Sequence, residues 1–290
     1  MVLSGLQDRL APLRTWLFPR RVYLQLEDQA ISAMVLEGER IAWQERVPLP
    51  AGLCVNGEPL MVEALGDLLG DLLVERGYAR AHVKAVLPRA ATAWRLIEWP
   101  EAAWPEQPEL LVRQQQDELG LPWSLQDADV LLDPLLAEPP RSLLVAAQRS
   151  LLEAWIEVFS QAGVALDGLE ALPICLWRAV KPQLARQGRE GFLALLQLEP
   201  DQSWLLALDQ GQPLGEWPLP VAHDHEALAV ALQQWRQRHE PTTCLLLGPD
   251  ATVRELGEQL PLWLGCPVLP LEFPGGEAAI WGLAAGELAR

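Results

Sequence analysis

Residues 22–47, VYLQLEDQAISAMVLEGERIAWQERV, decide the fold. Apolar and polar residues alternate here, and the run is cut by two polar bends, Glu27-Asp28-Gln29 and Glu37-Gly38-Glu39. Period-two patterning broken by turn residues predicts a three-stranded meander over Val22–Leu26, Ala30–Leu36 and Arg40–Val47. A helix is expected next, from about Glu58 to Arg76: Leu65, Leu68, Leu69, Leu72 and Leu73 build a broad apolar face and Gly77 supplies a stop. A strand over His82–Leu87 follows.

The same plan returns later in the chain. Strands are expected near Phe192–Leu198, Trp204–Leu208 and Gly215–Leu219, then a helix Glu226–His239, a strand Thr243–Leu247 and a helix Ala251–Leu260. The first bend of this second meander, Glu199-Pro200-Asp201-Gln202, lies about 170 residues after its counterpart. Between the two blocks the pattern reads as a small α+β unit. It comprises strands Ala93–Trp99, Ala128–Leu135 and Ser142–Ala147 and helices Glu106–Leu119 and Leu151–Ala162. Duplication of a meander followed by a helix points to an α/β chain with an actin-like (RNase H-like) two-lobed fold and an inserted subdomain. The expected divisions are an amphipathic segment 1–21, a first lobe 22–78 plus 164–186, an insertion 79–163 and a reduced second lobe 187–290.

Composition narrows the function. A chain of 290 residues suits two lobes of about 100 to 150 residues each. Its net charge of −17, with Lys84 and Lys181 the only lysines, argues against nucleic acid, which demands a dense basic face. Half of the residues are hydrophobic, yet no stretch reaches the length of a membrane span. Cys54, Cys175, Cys244 and Cys266 form no CxxC pair and read as buried free thiols of a reducing compartment. At the start, Leu3, Leu6, Leu10, Leu13 and Leu17 share a helical stripe beside Arg9, Arg14, Arg20 and Arg21. This fits a peripheral membrane anchor or a leader helix packed on the body.

Short blocks in order along the chain resemble the PilM family of type IV pilus assembly proteins. They are VKAVLP (83–88) with WRLIEWP (94–100), LPWSL (121–125) with Asp133 downstream, LLVAAQR (143–149), Ala162-Gly163-Val164 and GEAAIWGLA (276–284). The resemblance implies a cytoplasmic, actin-like protein at the inner face of the inner membrane. It further implies that the chain grips the N-terminal cytoplasmic tail of a PilN-like bitopic membrane protein and meets other pilus components. In the family that tail lies between the first lobe and the insertion, here the seam between 22–78 and 79–163. Arg89, Trp94 and Leu96 are the candidate partner-binding residues, and each taken alone reads first as an ordinary strand residue of the insertion.

The resemblance also exposes a loss. Actin-like ATPases need glycine-bearing hairpins so that backbone N–H groups can approach phosphates. Aligned on the family pattern, the magnesium-side acid is Gln25, the glycine is Glu27 and the lysine is Ser32. In the second hairpin the glycine becomes Glu199, followed by Pro200, and the adenosine-side turn keeps Gly248 but has Pro249 beside it. A carboxylate about 5 Å from a phosphate repels it by about 3 kcal/mol at an effective dielectric near 20. Two of them remove most of the roughly 8 kcal/mol that micromolar binding represents, unless they hold magnesium and bridge.

The expectation is therefore a scaffold without catalytic residues, metal or nucleotide cofactor. The alternative is an ATPase or sugar-kinase-like phosphotransferase with a modified site. A type II secretion scaffold fits less well for want of a transmembrane span, and a polymerising actin homologue for want of ATP loops. No GxxxxGK[ST], HExxH or GxSxG motif occurs. His223-Asp224-His225 reads as a helix cap rather than a metal site, and Asp127-Ala128-Asp129 as loop. Trp104, Trp123, Trp217 and Trp263, next to prolines and polar residues, are candidates for partly exposed anchors.

Overall fold

The computed structural model describes residues 20–37, 40–99, 104–135, 140–186, 191–199 and 202–288. The leucine stripe, the Gly38-Glu39 bend and Pro200 lie outside them.

The quoted stretch folds as expected into β1 (Arg21–Leu26), β2 (Ala30–Glu37) and β3 (Arg40–Pro48), an antiparallel meander. Alternation survives best in β3, which lies at the edge; β1 and β2 are buried on both faces. A two-residue hairpin, β4 (Cys54–Val55) and β5 (Glu58–Pro59), precedes helix α1 (Val62–Glu75). Asn56 and Gly57 both adopt positive φ at its tip, the conformation that an Asn-Gly hairpin turn requires, so the helix starts later than predicted.

Strand β6 (His82–Leu87) runs parallel to β1. The chain then forms a short 3-10 turn (Arg89–Ala91), β7 (Thr92–Glu98), α2 (Pro108–Gln114), β8 (Ala128–Leu135), β9 (Arg141–Gln148) and α3 (Arg149–Gln161). Strand β10 (Ala165–Ala171) and helix α4 (Leu172–Arg186) close the first half. The second half contains β11 (Phe192–Gln197), β12 (Ser203–Asp209), β13 (Gln212–Leu219), α5 (His225–His239), β14 (Thr243–Leu247), α6 (Asp250–Leu256), α7 (Leu260–Leu264), β15 (Val268–Pro270) and α8 (Ala278–Leu288). The helix expected over 251–260 is thus two short ones. Pro261 cannot donate within a helix but fits the first turn of a new one.

The two large sheets have the same strand order, β10-β6-β1-β2-β3 and β13-β12-β11-β14-β15 read from opposite ends. Each is a meander continued by two parallel strands, so the duplication legible in the sequence is structural. Side chains sort by strand parity. Leu193, Leu195, Leu245 and Leu247 face a central core with Tyr23, Met34 and Val86, while Ala194, Leu196, Cys244 and Leu246 face outward onto α5, α6 and α7. The outer face of the first sheet packs on α1 and α3, where Trp155 and Phe159 are almost fully buried. Helices α4 and α8 fill the space between the sheets. The order of layers is helix, sheet, helix, sheet, helix, the actin-like plan.

The lobes divide differently from the sequence expectation. Strand β6, expected in the insertion, pairs with β1 and β10 in the first sheet, and α3 packs on the first lobe. The inserted unit is only β7, α2, β8 and β9, a three-stranded sheet ordered β7-β9-β8 with its own core of Ile97, Trp99, Val112, Leu125 and Leu144. Helix α8, expected with the second lobe, packs against α4, β1 and β6. Boundaries drawn from sequence order fail here because the chain crosses between lobes more than once. All four cysteines are free and buried. Among the described residues, no helix is long and apolar enough to cross a membrane.

Candidate functional site: two filled hairpins and a cleft beside them

In the first hairpin Gln25 and Ser32 sit opposite each other on β1 and β2, both nearly inaccessible. The Gln25 amide donates to Glu27 Oε1 at 2.7 Å. From β3, Arg46 donates to both Glu27 oxygens, at 3.2 and 2.5 Å, and to Ser32 Oγ at 3.0 Å. The Ser32 hydroxyl donates to Glu277 Oε1 at 2.7 Å, and Arg46 reaches the same oxygen at 3.3 Å. The hydrogen bonding of Arg46 to the Glu27 carboxylate is the main reason that Arg46 is held even more firmly protonated than usual. Half of the Arg46 side chain is exposed, so the network adds little to stability. Its importance is that it fills the turn.

Asp28 faces the other way and accepts from the backbone N–H groups of Asn56 at 2.7 Å and Gly57 at 2.8 Å. It also accepts from Cys54 Sγ, whose thiol is pushed up to about 12, chiefly by burial and then by this carboxylate.

The second hairpin repeats the device. Gln197-Leu198-Glu199 matches Gln25-Leu26-Glu27 residue for residue, and the Gln197 amide again donates to the glutamate two positions on. The arginine here is Arg89, which donates to Gln197 Oε1 at 2.6 Å, makes a direct ionic contact with Glu216 and lies over the Trp204 ring at 4.6 Å. Burial pushes Arg89 down to about 10, opposed by the charge of Glu199, so it stays cationic at neutral pH.

Gly248 survives for a local reason: a Cβ there would sit 2.9 Å from Leu198 Cβ and 3.1 Å from the Leu198 carbonyl oxygen. Gly248→Ala is therefore expected to lower stability by about 1 to 3 kcal/mol in a denaturant melt without any nucleotide. A glycine kept only to admit a ligand would give an unchanged melt. Pro249 is extended and precedes α6.

Arg89, Trp94 and Leu96 come together on one cleft of about 430 Å³, with Thr92, Ala93, Arg95, Trp204, Leu214, Gly215, Glu216 and Trp217. Trp94 Nε1 donates to Glu216 Oε2 at 3.3 Å across it. This cleft separates the inserted sheet from the second lobe, not from the first lobe as expected, because β7 passes beside β13.

The sequence reading missed Arg46, Glu216 and Glu277. The repeated Gln-Leu-Glu triplet was available as a signal, whereas the contact between Arg46 and Glu277 spans 231 residues and has no local signature. Asp224 caps α5 by accepting from Ala227 N–H at 3.1 Å, and among the described residues no cluster suits a metal ion. Asp129 lies in β8 rather than in a loop as expected, and pairs with Arg149 at 3.1 Å. Of the four tryptophans, Trp104 is 41 % exposed and stacks edge-on against Trp99, while Trp217 packs on Trp235 and His239.

Two sheets of one topology around shared helices define a protein of the actin-like ATPase fold, here with paired side chains filling the turn of the first hairpin in each sheet. Among solved structures the chain is similar to a PilM-PilN type IV pilus biogenesis complex, at TM-score 0.75 and 18% identity over 92% of this chain and 98% of that one. It also resembles the cytoplasmic domain of EpsL, an inner-membrane component of the type II secretion system of Vibrio cholerae, at TM-score 0.53 and 13% identity over 93% and 96% of the two chains. An inorganic polyphosphate/ATP-glucomannokinase from Arthrobacter sp. strain KM aligns at TM-score 0.52 and 15% identity, covering 93% and 98%. No family model and no curated protein matches the sequence. The fold thus houses an enzyme as well as parts of envelope machines, and it does not decide the activity.

Proposed function

We propose that this protein is a non-enzymatic scaffold of type IV pilus assembly that binds the N-terminal cytoplasmic tail of a PilN-like inner-membrane protein at the cytoplasmic face of that membrane. The observation that carries the reading is the pair of Gln-Leu-Glu hairpins. Where phosphate oxygens need bare backbone, Glu27 is clamped by Arg46 and Gln25, and Glu199 by Gln197. A triphosphate has to break these bonds and then lie beside two carboxylates. The similarity in fold to the PilM-PilN complex supports the choice of partner.

The two parts are tested separately. With magnesium-ATP at millimolar concentration the melting temperature is expected to stay within about 1 °C of the apo value, since a ligand that binds the native state raises it by mass action. A clear rise favours an ATPase or phosphotransferase. A synthetic peptide of the tail is expected to bind at micromolar concentration in a fluorescence anisotropy titration, and no association at high micromolar peptide removes the adaptor reading.

A further inference from the structure

We draw no further inference here: the strongest candidate, the outer face of α1 on the first lobe, where the exposed carboxylates of Glu63, Asp67, Asp71 and Glu75 stand four residues apart alongside exposed Met61 and Val74, carries nothing because nothing in the structure shows what covers it.

Discussion

Gly282→Ala is expected to be among the most damaging single substitutions in this protein. In a helix interior the exchange normally stabilises by about 1 kcal/mol, because alanine loses less backbone entropy than glycine. At position 282 that gain is overwhelmed. Helix α8 meets α4 so closely that a Cβ on Gly282 would overlap the Cys175 carbonyl and approach Ala179 N at 3.1 Å. These are backbone atoms of a buried helix and cannot swing aside. Prising the helices apart opens the core that both sheets share, for a net loss of about 2 to 3 kcal/mol or more. In a thermal melt this corresponds to a fall of roughly 3 to 5 °C. Gly286, one turn further on, is the internal control. A Cβ there meets only the flexible end of Arg178 at 3.2 Å, so Gly286→Ala is expected to be neutral or slightly stabilising. Equal behaviour of the two variants would show that α4 and α8 are not in close contact.

The second large effect is expected at Arg89. Only 11 % of its side chain and 12 % of that of Glu216 are exposed, so each charge depends on the other. Arg89→Met removes the cation from above Trp204 and strands Glu216, a loss of about 3 kcal/mol in denaturant unfolding. In the double variant Arg89→Met, Glu216→Leu, no carboxylate is stranded, and most of that loss is expected to return. The recovery separates a buried ion pair from simple loss of packing. A double variant no more stable than Arg89→Met alone would mean that the arginine acts through its hydrogen bond to Gln197 and its stacking on Trp204 instead.

Much of the architecture was legible because the duplicated meander imposes period two on both halves. Strand β8 falls where its alternation places it, and β14 where a short apolar run does. Less legible were elements whose cause is not periodic. The turn at Asn56-Gly57 shortened α1, and β10 was missed because Ala165–Ala171 carries Asp167, Gly168 and Glu170 and is held in the sheet by its pairing with β6. For the site, the family resemblance singled out Gln25, Glu27, Ser32 and Glu199, but their partners have no local signature. Arg46 and Glu277 are brought to the first hairpin only by folding, and Arg89 meets Glu216 across the boundary of the insertion. Arg89, Trp94 and Leu96 are candidates for one groove in the sequence, and the fold brings them onto one cleft.

The segment that passes from the second sheet to α8 is pinned to β3. Gln44 donates to the Gly275 carbonyl, and Arg46 and Ser32 hold Glu277 two residues later. Any movement of this crossing away from β3 has to break these bonds first. They lie largely in solvent, so they set the path of the chain between the two sheets rather than the strength with which it is held.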